Sequence, residues 1–442
     1  MSIERSLYVG LSGMNVQGQT LNVIGDNIAN LNTIGFKSGR SAFEEMLGQS
    51  LVGGSGQLGG GVGGFSVDRM FSQGALLGTG KPTDLAISGD GFFAVEGTGP
   101  SGAAGQFLTR VGTFSKDREG FLSLGRGGPK LLGYGVDGNG DIGSTVGVLQ
   151  IDDSPYPPKA TNDVKLQVGL NGNWPGPVLG ADGKELVPQP PPPDVNLNEN
   201  NGSHFTSQVT VYDAVGNPIE ATVHFTRVAH DNDTYTWRYD VTVPSNEIEG
   251  GAADTKFSNI GTGNITFDGK GQIVLDPAQP PPTFAIQPKG AGNPTTISLD
   301  FAGSKQYAAG SATLDVSQDG NQSGTFQELR VDQDGKVYGT FDNGKERLLG
   351  QAALARVRSV DGVRSAGGGL YLASHDSGAV TFGAPGTGGR GTIQGGALEQ
   401  SNVDLAGEFA QLILAQRGYQ ANTRTISTAD QMMQEAMNLK RS

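Results

Sequence analysis

Gly59, Gly61 and Gly64 have the spacing that lets a loop hold a pyrophosphate against the start of a helix. That chemistry needs a strand before the glycines and a helix after them. Here the residues that follow, 65–70, alternate like a strand, so the match reads as a by-product of a glycine-rich tract. Asp137, Asn139 and Asp141 open like a calcium loop, but Ile142 stands where the sharp turn needs glycine, and Val148 where a bidentate glutamate belongs. A hairpin turn is expected there. His204, His224, His230 and His375 lack the i, i+4 zinc spacing. His224 falls on the outward face of an alternating segment and is expected to be solvated. No serine has glycine two residues away on both sides, and Asp152-Asp153 lies beside Pro155 in a loop. With no cysteine in the chain, thiolate nucleophiles, thiolate zinc sites and disulfides are excluded. No catalytic residue, cofactor or metal is expected, and the chain does not read as an enzyme.

The elements around these motifs must therefore carry the function. The chain has 442 residues, 72 of them glycine, which is more than twice the usual share of about 7%. Only 17% of residues are charged and mean hydropathy is −0.28, which suits a loop- and hairpin-rich fold. A net charge of −13 repels phosphate backbones and argues against nucleic acid. The start of the chain does not read as a cleavable leader, because Asn15, Gln17, Gln19 and glycines interrupt it. No run approaches the roughly 18 apolar residues of a membrane span.

The two ends read as helices. From residue 3 to 31, Leu7, Leu11, Met14, Gly18, Leu21, Gly25 and Ile28 step by four and three. From residue 403 to 439, Leu405, Phe409, Leu412, Gln416, Tyr419, Thr423, Ile426, Asp430, Met433 and Met437 do the same. Ser401 and Asp404 have capping-box spacing. Gly10, Gly13, Gly18 and Gly25 each cost the first helix about 1 kcal/mol relative to alanine. Glycine tracts are expected to tether these ends loosely, so that they order when neighbouring copies supply a core. The expected assembly seam is Leu7, Leu11, Met14, Leu21 and Ile28 with Leu405, Phe409, Leu412, Tyr419, Ile426 and Met433.

Between the ends the period changes to two. TDLAISGDGFFAV (83–95) reads as strand, Gly89-Asp90-Gly91 turn, strand. Val209 and Val211, then Ile219, Ala221, Val223 and Phe225, flank Gly216-Asn217. Tyr235, Trp237, Tyr239, Val241 and Val243 give the clearest half-buried strand. Further hairpins turn at Asp268-Gly269 and Asp334-Gly335. Proline runs at 188–194 and 280–282 read as stiff loops. The expected class is mainly β with terminal α-helices: nested all-β, antiparallel sandwich- or barrel-like domains plus a terminal coiled-coil domain. Its expected divisions are a helical domain (1–33 and 401–442), glycine-rich connectors (34–70 and 380–400), an inner β-domain (71–160 and 319–379) and an inserted outer β-domain (161–318).

SLYVGLSGMNVQGQTLNVIGDNIANLNTIGFKS near the start resembles the rod and hook axial proteins of the bacterial flagellum. So do FSQGALLGTGKPTDLAISGDGFFAV (71–95), TRVGTFSKDREGFL (109–122) and residues 396–439. Within that family the chain resembles hook members most, because it carries a β-rich insertion at 161–318, as they do, and because 329–357 resembles the return limb of their inner β-domain. The resemblance implies a structural subunit that polymerises into a bendable helical tube, a universal joint carrying torque from rod to filament. It implies export without a cleavable leader through the flagellar type III apparatus to an extracellular hook. The implied partners are the chain itself, the distal rod protein, the hook cap protein and the hook–filament junction proteins, with no nucleic acid and no membrane insertion. One alternative is a distal rod subunit, which would be shorter. Another is a secreted β-rich adhesin using Tyr235, Trp237 and Tyr239 as an exposed aromatic face.

Overall fold

The computed structural model describes residues 2–45, 61–100, 102–138, 140–173, 194–231, 234–251, 254–274, 280–290 and 294–439. Gly59, Asn139, Leu275, the proline run at 188–193 and the basic pair Lys440 and Arg441 lie outside the described residues. Mainly β structure with a long helix at each end is what the chain adopts, as expected. The helices are α1 (Ser2–Ala29) and α2 (Leu405–Leu439). Among the described residues no helix is long and apolar enough to cross a membrane.

The chain divides into two compact units. One comprises 1–153, 327–340 and 346–442, and the other 154–326 and 341–345. In the first unit, a 13-stranded sheet takes its strands from residues 92–148 and 326–383. Phe92, Phe93, Ala94 and Val95 are all buried, because both faces of their strand are covered. Beside α1 lies a two-stranded ribbon, β1 (Gly39–Glu45) and β2 (Val62–Arg69), in which Phe43 opposes Phe65. The strand that follows Gly61 and contains Gly64 thus stands where a nucleotide loop would need a helix.

The strands at Leu85–Ser88 and Phe92–Thr98 do not pair with each other. The expected hairpin at 83–95 is instead a crossover: the first strand pairs with Thr392–Gly395, the second with Ala104–Thr109. Gly89 and Gly91 take φ of +104° and +119°, which lets the chain leave one sheet for the other. Residues 392–399 therefore form short strands on 76–88 instead of a free connector.

The second unit packs two five-stranded sheets on one core. One is a meander through Phe205–Tyr212, Pro218–Asp231, Thr234–Pro244, Phe257–Phe267 and Ile273–Val274, with the expected turns at Gly216 and Gly269. In the other, Asp163–Asn171 pairs in parallel with Thr295–Asp300 and Lys305–Tyr307, and antiparallel with Ala312–Gln318. The middle is therefore not built of antiparallel hairpins alone. Parallel partners must come from distant sequence, and here more than a hundred residues separate them. Trp237 and Tyr239 lie in the core with Phe225, Phe267 and Phe301, so they offer no exposed aromatic face. The turn at Asp137 is a hairpin turn, its carboxylate accepting the Asp141 amide at 2.9 Å.

His224 corrects an expectation. It is fully buried on the side of its strand away from the main core. Its Nε2 lies 3.0 Å from Asn200 Oδ1 and from Thr242 Oγ1, and its Nδ1 3.0 Å from Ser203 Oγ. The segment holding Asn200 and Ser203 covers a face that alternation alone assigns to solvent. Burial pushes the imidazole pKa below its usual value, against the pull of Asp240.

Candidate self-assembly site

α1 and α2 pack on each other in antiparallel fashion. Gly10 lies against Ile426 and Asn422, Gly13 against Asn422, and Gly418 against Gln17. At the far end Asn27 Nδ2 donates to Glu408 Oε1 at 2.9 Å. A Cβ on Gly10 would sit 3.0 Å from Ile426, and one on Gly13 only 2.7 Å from Asn422. By contrast, nothing lies within 4 Å of a Cβ built on Gly18 or Gly25. The glycines that permit close approach inside the chain are thus Gly10 and Gly13, while Gly18 and Gly25 of the heptad face open space.

That difference has a simple geometry. The contact stripe on α1 runs through Gly10, Gly13, Gln17, Ile24 and Asn27, and on α2 through Glu408, Ala415, Gly418, Asn422 and Ala429. It lies mostly one residue N-terminal to the expected seam, which is about 100° around a helix. Of the expected residues, Leu11, Leu405, Phe409 and Tyr419 are exposed. Leu7, Met14, Leu21, Ile28, Leu412, Ile426 and Met433 are half-buried. Met14 Sδ lies 3.8 Å from Thr423 Oγ1, and Ile426 touches Gly10, so these flank the contact. Tyr8, Val9, Ile413, Leu414, Met432 and Met437 add further exposed apolar surface. A pair held mostly by small and polar side chains, with Ile24 and Ile426 among them, leaves many of its large apolar ones exposed.

Asp404 immediately precedes α2, and its carboxylate accepts the Ala406 amide at 3.1 Å. Asp404 is therefore the cap, while Ser401 lies before the helix and only accepts the Val403 amide at 3.4 Å. Burial raises the Glu408 pKa, against the hydrogen bond from Asn27.

The helix pair is also fastened at its base, where loose tethers were expected. Asn27, buried, donates to the Gly39 carbonyl and accepts the Gly39 amide, both at 2.8 Å. Asn402 Oδ1 accepts the Ser38 amide at 2.8 Å, and its Nδ2 donates to the Met70 carbonyl at 2.7 Å. Lys37 Nζ reaches Glu399 Oε1 and the Ser72 carbonyl, each at 2.7 Å, and Arg110 Nη1 reaches Glu399 Oε2 at 3.2 Å. Burial pulls the Lys37 pKa down, and Glu399 opposes this. Sequence reading missed Asn27, Lys37, Arg110, Glu399 and Asn402, because polar residues in glycine-rich surroundings look like solvated loop. The paired carboxylates are surface ion-pair partners: Asp152 with Arg347, and Asp153 with Lys116.

Residues 7–37 match the family model described as flagella basal body rod protein, and 394–439 that of the flagellar basal body rod FlgEFG protein C-terminal. Residues 180–321 match the flagellar basal body protein FlaE D2 domain. Over 488 residues the chain is 32% identical to the flagellar hook protein FlgE of Treponema pallidum, covering 99% of this chain and 100% of that one. The chain belongs to the flagellar hook protein family. Identity is 33% to the hook protein of Escherichia coli, over 97% of this chain and 98% of the relative. It is 32% to that of Salmonella typhimurium, over 98% and 100%. This hook-family chain is a structural subunit whose place is the flagellar hook and basal body. Its family-matched ends coincide with the helix pair and its base, the region whose apolar side chains face outward.

Proposed function

We propose that copies of this chain polymerise through the terminal helix pair into a bendable helical tube. The seam between copies runs along Leu7, Leu11, Met14, Leu21 and Ile28, and along Leu405, Phe409, Leu412, Tyr419, Ile426 and Met433. One observation carries this reading: the pair's own contact is made mostly by small and polar side chains, and Leu11, Phe409, Ile413 and Leu414 are left exposed. Fully covering one such side chain is worth about 1.5–3 kcal/mol. Several covered per neighbour offset the roughly 4–15 kcal/mol that association costs.

In this reading the helices (1–33 and 401–442) line the inside of the tube. The connectors (34–70 and 380–400) and the β-domains (71–160 with 319–379, and 161–318) form the shells around them. A bending joint must change subunit spacing on every turn. Small, wet contacts between outer domains tolerate that better than large apolar ones. The chain leaves the cell through the flagellar export apparatus, and it meets the distal rod, hook cap and hook–filament junction proteins at the ends of the polymer. It performs no catalysis.

Leu412→Asp tests the seam. The expected result is a monomer with an unchanged β-sheet circular dichroism signal and no sedimenting polymer. Normal tubes from that variant would contradict the assignment.

A further inference from the structure

In the first unit, a pocket of about 360 Å³ is lined by Phe71, Phe92, Asp90, Arg110, Arg356 and Arg358. Three guanidinium groups share this wall with one carboxylate, in a chain whose overall charge is −13. Of the three, only Arg110 has an internal carboxylate partner among the described residues, and it shares that partner with Lys37. Arg110 is only 4% exposed, and its Nη2 donates to the Gly89 carbonyl at 2.8 Å. Its Nη1 reaches Glu399, a carboxylate that Lys37 already engages, and its Nε has no hydrogen-bond partner among the described residues. Arg356 donates to a carbonyl, that of Gly388, at 3.0 Å. Neither Arg356, Arg358 nor Asp90 forms an ion pair among the described residues.

We propose that this pocket receives a carboxylate side chain from a second copy of the chain. A guanidinium fork matches a carboxylate in two parallel hydrogen bonds, and the apolar floor of Phe71 and Phe92 strengthens them by excluding water. The occupant follows from charge complementarity. Acidic residues outnumber basic ones 44 to 31, so a neighbouring copy offers more carboxylates than cations to such a pocket. The inference rests on the polymerisation proposed above and adds to it a polar latch away from the helices.

The test uses Arg358→Lys, which keeps the charge and supplies an amine. Polymer is grown from an equal mixture of nitrogen-15-labelled and unlabelled variant chains, treated with a carbodiimide, digested and read by mass spectrometry. The expected product joins position 358 to an aspartate or glutamate in mixed-label peptides. Links confined to single-label peptides, such as one to Asp90 of the same chain, overturn the proposal, as does the absence of any link. Arg358→Glu is expected to raise the critical concentration for assembly about tenfold at low salt, a loss that high salt reduces. If the pocket binds inorganic phosphate but gives no mixed-label link, it is an ion site and the proposal fails. If the unmodified chain forms no polymer, the polymerisation reading falls first and takes this one with it. If polymer forms without the link, only the pocket assignment falls.

Discussion

Lys37 Nζ lies 2.7 Å from Glu399 Oε1, and both side chains are wholly buried. The two residues are 362 positions apart, so this contact closes the base of the helix pair across nearly the whole chain. Glu399 also holds Arg110 and accepts the Gly74 amide at 2.9 Å. Removing the carboxylate leaves two cations buried together. Glu399→Gln is expected to destabilise the first unit by about 3–5 kcal/mol, the range for breaking a buried pair. Lys37→Met is expected to cost less, because Glu399 keeps Arg110. Urea midpoints of the two variants check the order.

The glycines of α1 separate two roles. Gly13→Leu places side-chain atoms where Asn422 now sits, and Gly10→Leu where Ile426 sits. Both are expected to unpair the helices and lower their melting temperature. Gly18→Ala and Gly25→Ala meet open space and should stabilise the free chain by about 1 kcal/mol each. The seam proposed between copies passes through both positions, so the same alanines are expected to slow polymer growth. Helical melting curves and a light-scattering assay read the two effects separately.

The inserted unit is expected to lose stability in acid through its histidines. Burial lowers the pKa of His224 and of His204 below the ordinary 6.5. The unfolded chain therefore takes up protons first as pH falls. The contribution is complete above about pH 6.5, declines as pH drops through that value, and stops falling only below the folded pKa values. Urea unfolding followed by tryptophan fluorescence at pH 7.5 and 5.5 should show lower stability at the acid value. His224→Gln should reduce that difference; an unchanged difference would remove His224 from the account.

Much of this was legible in the chain. Strict steps of four and three announced both helices, and alternation announced the meander around Trp237. What escaped notice shares one cause. Periodicity identifies an apolar stripe but not its partner, so the heptad pointed to Leu11 and Phe409 while the chain's own contact runs through Gly10 and Asn422. Likewise His224 sits where alternation predicts solvent, because a segment that carries no periodic signal folds over it. Lys37 and Glu399 carry no local signature, since each becomes a buried ion only when the other arrives from the far end of the chain.

Electron microscopy of the purified chain, intact and lacking residues 1–31 and 403–442, tests the central claim most directly. Curved tubes from the intact chain and only monomers from the shortened one are the expected result. Tubes from the shortened chain, or an intact chain that stays monomeric at concentrations where its helices are folded, would contradict it.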